Sequence, residues 1–265
     1  MSDPSHEIWG NFEIPPGTHG AWQIGPQDLA VGRTQHEWVI NTAASSDPFD
    51  ERASFRYLEQ PLPDPAEGVK QLRCAVGGRG NTMQLAPSLA DRPVVVRAEQ
   101  PFTLLPDDET SFFVGSPVWV RLRVGSPARE LTELPSLRPS DTWFGPNTRE
   151  GELCYASRTR ARASLEQAPV RPARALTRIR LRNGASDPIV FERLKIPVGH
   201  LSLYRAADGR LWTNGLSVTR GSAGGEVECA VDERAPPQAE GSAPIEPPRR
   251  VGPGLFKRAL SALIG

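Results

Sequence analysis

Hydrophobic and polar residues alternate in short runs along most of this chain. The clearest run is residues 118–124, where valine and leucine occupy every second position and tryptophan and arginine the positions between. A period of two residues is typical of a strand with one buried face. Similar runs recur about every ten residues, separated by turn signals such as Asp208-Gly209, with no helical repeat between them. The pattern predicts a mainly β protein with an antiparallel β-sandwich architecture.

The expected strands form two series, separated by an irregular central segment. The first series ends at Val124 and the second begins at Leu153. One β-rich domain over residues 1–230 and two packed sandwich-like halves divided near residue 135 both agree with this spacing. The 27 prolines and 24 glycines exclude long helices, because proline removes a backbone donor and glycine weakens a helix.

The pattern changes twice after residue 230. Residues 231–253 contain six prolines and no periodicity, which predicts an extended tether. Residues 254–264 then place apolar side chains on one helical arc and basic ones opposite, which predicts a short C-terminal amphipathic helix. The residues of this helix expected to bind a partner are Leu255, Phe256, Lys257, Arg258, Leu260, Leu263 and Ile264.

The apolar side chains of such a short helix can be covered in three ways. It can dock in the groove of a protein partner, including a membrane protein, or lie on a membrane surface with its basic residues near lipid headgroups. It can also fold back over a sheet edge of its own chain. The first use leads to our principal hypothesis from the sequence, a non-enzymatic protein-interaction or accessory module.

A second candidate region is the irregular segment 139–154. Its candidate ligand-binding residues are Asp141, Trp143, Arg149, Glu150 and Cys154. Carboxylates and a guanidinium suit a polar ligand, and a cysteine with a nearby base suits a hydrolase. The alternative is structural: the aromatic residues fill a gap between sheets while the polar ones pair locally. A small-molecule-binding protein or hydrolase is therefore the second hypothesis.

The overall charge of the chain is balanced, and only one segment has a strong local excess of positive charge. Lys plus Arg and Asp plus Glu are 31 each, so no overall field attracts nucleic acid or an anionic membrane. Residues 158–182 nevertheless hold eight arginines and one acid. The aromatic residues that single-strand nucleic-acid binders use for stacking are missing there, which makes nucleic acid an unfavoured partner. A solvated stripe, or one paired with the acidic loops at 47–67, is the expected arrangement.

The remaining motifs limit the chemistry and the location. Cys74, Cys154 and Cys229 are odd in number and widely spaced, which argues against a disulfide framework and favours a reducing compartment. The four histidines have no metal-ligand spacing, so no metal or other cofactor is predicted. Without a secretory signal or an apolar run of membrane-spanning length, the expected location is cytoplasmic, with peripheral membrane contact as an alternative. The oligomeric state stays open.

Two neighbouring sequences carry a family resemblance, Pro139-Ser-Asp-Thr-Trp-Phe-Gly-Pro146 and Glu150-Gly-Glu-Leu-Cys-Tyr-Ala156. Ile24-Gly-Pro26 and Leu201-Ser-Leu-Tyr204 add to it. The chain resembles, over roughly residues 8–230, an uncharacterised prokaryotic family known as a domain of unknown function. Members are sometimes encoded near small-conductance mechanosensitive channels, so the resemblance implies an accessory role at a membrane. It implies no activity and no catalytic residues.

Overall fold

In the computed structural model of the chain, strands are the main regular element and are joined by turns and loops. The structure describes residues 8–45, 47, 50–75, 80–137, 139–145, 149, 151–158, 161–162, 164–165, 170–222, 226–252, 255–259 and 264. The strands are β1 (Gly10–Glu13), β2 (Thr18–Ile24), β3 (Gln27–Arg33), β4 (Glu37–Ala44), β5 (Ala53–Leu58), β6 (Lys70–Ala75), β7 (Thr82–Ser88), β8 (Val94–Leu104), β9 (Glu109–Pro117), β10 (Trp119–Val124), β11 (Arg129–Pro135), β12 (Ser140–Phe144), β13 (Glu152–Arg158), β14 (Arg174–Asn183), β15 (Ile189–Ile196), β16 (Leu203–Arg205), β17 (Leu211–Thr213), β18 (Leu216–Arg220), β19 (Glu226–Val231) and β20 (Leu255–Ala259). Short 3-10 turns occupy Val198–His200 and Pro237–Ala239.

The prediction of a mainly β protein is confirmed. Strand β10 shows why: Val120, Leu122 and Val124 are buried, while Arg121 and Arg123 between them are half-buried. Within the described ranges, no helix is long and apolar enough to cross a membrane.

The chain divides into two compact units, each made of segments that are distant in sequence. The first unit contains Met1–Ser88, Val118–Leu137 and Arg171–Ala173, and the second contains Leu89–Pro117, Arg138–Val170 and Arg174–Gly265. The chain passes between the units several times, so no single cut near residue 135 separates them.

The first unit has two sheets whose strand pairs are all antiparallel. One has the order β1-β7-β10-β11 and the other the order β5-β2-β3-β4-β6. The ring of Phe12 on the four-stranded sheet lies 5.0 Å from Trp22 and 4.6 Å from Phe55 on the five-stranded sheet. These rings belong to the core between the two sheets.

The second unit also has two sheets, but it mixes strand directions. The four-stranded sheet has the order β12-β13-β8-β15, and the seven-stranded sheet is centred on β14. Phe191 of the smaller sheet lies 5.0 Å, ring to ring, from Phe112 of the larger one. Strand pairs β8–β13, β14–β17 and β14–β18 are parallel, so the purely antiparallel architecture predicted from the sequence holds only in part.

The predicted C-terminal amphipathic helix is wrong. Residues Leu255–Ala259 form strand β20, which pairs antiparallel with β19 at the edge of the seven-stranded sheet. Ile264, expected to bind a partner, is 2% exposed and bridges to Leu194. A lone helix of about a dozen residues is marginal in water, whereas the open edge of β19 offers a ladder of backbone hydrogen bonds. Leu260 and Leu263 lie outside the described residues.

The predicted tether is also packed against the second unit over its described part. Ala235 and Ala239 contact a cluster around Trp212, and the backbone oxygen of Glu246 accepts a hydrogen bond from the Leu203 amide at 2.9 Å. The Arg249 guanidinium donates to the Leu89 carbonyl at 2.7 Å. Prolines exclude regular pairing here, but isolated backbone bonds and small apolar side chains hold the segment in place.

Candidate functional site

The segment 139–154 places two of its predicted site residues, Asp141 and Cys154, on adjacent strands of one sheet. Asp141 pairs in register with Tyr155, whereas Cys154 pairs with Thr142 one position along, so Asp141 and Cys154 face opposite sides of the sheet. Asp141 lies 3.3 Å from the Arg92 guanidinium, which also lies over the Tyr155 ring. Arg149 is exposed, and Glu150 lies outside the described residues.

Cys154 lies in a small core cluster and has the properties of a structural thiol. Its side chain is fully buried beside Val95 and Phe144. Burial, reinforced by the nearby Glu152 carboxylate, raises the pKa of the Cys154 thiol to about 11. A nucleophilic cysteine needs a lowered pKa, so Cys154 is a neutral thiol at pH 7.

Trp143, on strand β12 of this segment, is the most exposed of the six tryptophans in the chain. It is 45% exposed and pairs across β12 and β13 with Leu153, which is 44% exposed. Its indole lies directly over Gly151, where a Cβ would come within 2.0 Å of the indole nitrogen. The glycine therefore makes room for the ring on the surface of the sheet.

Lys195 is a buried cation close to this segment that the sequence did not reveal. It is 8% exposed, and its ammonium group lies 3.0 Å from a Glu152 carboxylate oxygen. The same ammonium lies 5.9 Å from the centre of the Phe144 ring. Glu152 is therefore the counter-ion that allows a charged lysine to stay buried.

The arginine stripe is partly neutralised within the chain. Arg171 pairs with Glu51 at 2.9 Å, in the acidic loop region anticipated from the sequence, and Arg180 pairs with Glu109 at 3.5 Å. Among the residues that the structure describes, no three His, Cys, Asp or Glu side chains are placed to hold a metal ion.

A groove of about 610 Å³ opens on the first unit, on the face of the five-stranded sheet that carries Ala21 and Ala30. We call residues 59–69, which cross this face, the strap, and the space beside them the strap groove. Across the five strands, Arg56, Ala21, Ala30, Asn41 and Gln71 lie in one register row. The alanines make a flat floor about two strands wide, with polar side chains at both ends.

The next row supplies more hydrogen-bonding groups to the strap groove. It contains Ser54, Gln23, Asp28 and Ala43. The Gln23 amide nitrogen donates to Asp50 at 2.8 Å, which fixes this side chain at the border of the floor. Asp50 itself is held by the Arg52 guanidinium at 2.6 Å. The buried Asp50 carboxylate therefore holds the Gln23 side chain, which lines the groove, in position.

This carboxylate gives the fold a distinct acid dependence. Hydrogen bonds from Arg52 lower the pKa of Asp50 from 3.8 to about 2. Because the folded-state pKa lies below the unfolded one, ionised Asp50 stabilises the fold above pH 3.8, and this contribution is lost as the pH falls towards 2. We expect the wild type to lose more stability across this window than Asp50→Asn, as measured by urea unfolding at several pH values. Equal losses in both proteins would contradict this role for Asp50.

The strap is attached to the sheet by few contacts. The His19 ring nitrogen Nδ1 lies 2.8 Å from the Gln60 carbonyl, and the Asn41 amide donates to the Pro63 carbonyl at 3.5 Å. Leu62 lies over Gly32, where a Cβ would come within 2.6 Å of the leucine Cβ. The absence of a side chain at Gly32 is what lets the strap approach the sheet.

Replacing Gly32 by alanine should lift the strap from the sheet. The added methyl group overlaps Leu62, whose backbone is held by its proline neighbours, so the strap has to move. We expect faster proteolysis within residues 59–69, while amides in β7 keep their protection against exchange. Unchanged proteolysis within residues 59–69 would show that the contact is not needed to hold the strap.

The comparisons with known proteins identify a family. Residues 8–263 match the model of a family described as "Protein of unknown function (DUF432)". Neither the curated proteins nor the solved structures contain a match to the chain. The resemblance to an uncharacterised family, seen in residues 139–156, is thereby confirmed. Because the match spans nearly the whole sequence, the chain belongs to the DUF432 family.

Proposed function

We propose that this protein is a non-enzymatic binding module, and that its ligand is a small polar molecule held in the strap groove. The observation that carries the proposal is the flat alanine floor between polar borders, formed by Ala21 and Ala30 with Arg56 at one end and Asn41 at the other. Three strand spacings place the end residues about 14 Å apart at their Cα atoms. This distance suits a molecule with one flat, weakly polar face and hydrogen-bonding groups at its rim.

The surroundings of Arg56 favour a role in ligand binding over a purely structural role. It is exposed and makes no ion pair with any described residue. An arginine at the end of a ready-made floor presents several donors in a fixed plane. A ligand acceptor group placed there would gain a charge-assisted hydrogen bond.

The groove lacks the geometry of a hydrolase. The one imidazole of its lining belongs to His19, and the hydroxyls belong to Ser54 and Thr42. Thr42 pairs with Leu29, so its side chain lies on the opposite face of the sheet from His19. Ser54 pairs with Gln23, four residues along β2 from His19, which separates the two side chains by about 13 Å. A general base must come within hydrogen-bonding distance of the hydroxyl it activates. His19 also uses Nδ1 to hold the strap.

Thermal unfolding in the presence of polar metabolites tests the proposal. A panel of sugars, nucleosides and amino acids is applied to the wild type, to Arg56→Gln and to Ala30→Leu, which fills the floor. A ligand at a hundredfold excess over its Kd stabilises the wild type by about 2.7 kcal/mol, and both variants should lose most of this effect. The control is Arg129→Gln, which removes an exposed arginine of the same unit outside the groove. If no compound distinguishes the wild type from both groove variants, the proposal fails.

A second candidate function is the binding of a protein partner along β12. This strand ends the order of its sheet, and its exposed Trp143 pairs with the exposed Leu153 of the neighbouring strand β13. Strand edges with exposed apolar side chains are common docking sites for extended segments. Crosslinking and affinity purification from the native host, with mild detergent to retain membrane proteins, should recover a partner with the wild type. Recovery should fail with a Trp143→Ser and Leu153→Ser double variant and persist with Val190→Ser, a matched exposed apolar site.

A further inference from the structure

The strap groove has opposite charges on its two sides. Besides an imidazole, its lining contains three ionisable side chains, Asp28, Arg56 and Asp64. Arg56 lies on the edge strand β5, whereas Asp28 lies on β3, two strands away. Asp64 follows Pro63, whose carbonyl binds the Asn41 amide of β4, so it belongs to the side of the groove formed by β3 and β4. One side of the groove is therefore positive and the other negative.

Neither Asp28 nor Arg56 is neutralised within the part of the chain that the structure describes. Both residues are exposed, and neither side chain forms an ion pair or a hydrogen bond with a described residue. Arg52 interacts electrostatically with Asp28, but its guanidinium already binds both carboxylate oxygens of Asp50. Two opposite charges that share a groove without meeting are each available to a group of the ligand.

The spacing of these two charges suits a ligand longer than a free α-amino acid. Arg56 and Asp28 are separated by two strand spacings and by two residues along the strands, which places their Cα atoms about 12 Å apart. Both side chains line the groove and shorten the gap between the charged groups. An α-amino acid carries both of its charges on one carbon, whereas a dipeptide carries them on two Cα atoms about 3.8 Å apart.

Two polar groups near these charges match a peptide bond. Gln23 turns its amide nitrogen to the Asp50 carboxylate, which accepts only, so its carbonyl oxygen faces away and accepts nothing from the described residues. Ser54 lies opposite Gln23 across β2 and β5, and its hydroxyl makes no hydrogen bond to them. A peptide bond presents one N–H and one C=O in a plane. The Gln23 oxygen can accept from that N–H, and the Ser54 hydroxyl can donate to that C=O.

We infer that the ligand of the strap groove is a short zwitterionic peptide. Its carboxylate binds Arg56, its amino group binds Asp28, and its peptide plane lies on the floor formed by Ala21 and Ala30. The inference rests on the proposed function, because it names the ligand class of that same groove. A neutral sugar or nucleoside leaves both groove charges without a counter-charge, whereas a zwitterion supplies one to each.

Alanyl-alanine and its two blocked forms are the probes for this inference. Calorimetric titration of the full chain should show saturable binding of alanyl-alanine, and acetylation of its amino group or amidation of its carboxylate should each weaken binding about tenfold or more. Asp28→Asn should weaken the free peptide to the level of the acetylated form and leave the acetylated form unchanged. Arg56→Gln should have the corresponding effect for the amidated form.

The control is Asp108→Asn, which removes an exposed carboxylate of the second unit and should bind the peptide as the wild type does. Because Asp28 and Arg56 are exposed, both groove variants should unfold at the wild-type temperature without peptide, which separates lost binding from misfolding. The inference is overturned if alanyl-alanine does not bind, if the blocked forms bind equally well, or if both groove variants titrate like the control. The proposed function is judged separately, since it falls only if the panel of polar metabolites is silent as well.

Discussion

Replacing Trp22 by alanine is expected to lower the free energy of unfolding by about 3–5 kcal/mol. Trp22 is 3% exposed, stacks on Phe55 at 4.6 Å and meets the edge of Phe12 at 5.0 Å. Truncation removes the largest ring of this cluster and leaves a cavity between the two sheets. Since whole domains are stable by only about 5–15 kcal/mol, the change should be visible in any urea titration.

Two further variants show whether ring burial is the cause. Trp22→Phe should cost much less than Trp22→Ala, because the Trp22 indole nitrogen has no hydrogen-bond partner among the described residues and only ring area is lost. Trp143→Ala should cost less than about 1.5 kcal/mol, because that tryptophan is 45% exposed. Similar losses for Trp22→Ala and Trp143→Ala would contradict the placement of Trp22 in the core.

Replacing Glu152 by glutamine is the second change with a large expected effect. It leaves the Lys195 ammonium, 8% exposed, without its carboxylate partner at 3.0 Å. Removing one member of a buried charged pair exposes the desolvation cost of the other, and because Glu152 is itself partly exposed we expect a loss of about 2–3 kcal/mol. Urea unfolding at neutral pH is the appropriate measurement.

The reciprocal variant should behave differently. Lys195→Met removes the buried charge, and the 41% exposed Glu152 side chain can be solvated by water. We expect its stability to lie within about 1 kcal/mol of the wild type, and the double variant to resemble it. If Lys195→Met is as damaging as Glu152→Gln, the pair is stabilising in itself and Lys195 is not held at a desolvation cost.

Strand positions were the most predictable part of the fold. Period-two alternation in residues such as Val120 and Leu122 reports directly on a half-buried strand, and the structure has β10 there. Strand direction was not predictable in the same way. The pairs β14–β17 and β14–β18 are parallel, whereas β14–β9 is antiparallel, and no local pattern records which neighbours the long strand β14 takes.

The C-terminal region shows how a correct pattern led to the wrong element. The arc that begins at Leu255 satisfies a helical repeat, but the competing partner, β19, lies in a different part of the sequence. Local periodicity contains no information on an open sheet edge elsewhere. For residues 231–252, the high proline content indicated only the absence of regular structure, and not the packing of Ala239 against the second unit.

The candidate sites were missed for a related reason. The floor of the strap groove is made of alanines on adjacent strands, and Ala21 and Ala30 become neighbours only when the hairpin register is known. The only sequence feature that could have indicated this floor is the presence of small side chains on the polar face of the strands in residues 20–41.

The interleaving of the two units has a consequence for how the protein is made on the ribosome. Strand β7 is synthesised well before β10, its partner in the four-stranded sheet, because residues 89–117 of the other unit come between them. The last piece, Arg171–Ala173, supplies the carbonyl that binds the Val118 amide at 3.0 Å. At about 5–20 residues per second, β7 therefore waits seconds with an unpaired edge that can bind other nascent strands. Pairing of this edge with the wrong strand is therefore most favoured during the interval between the synthesis of β7 and that of β10.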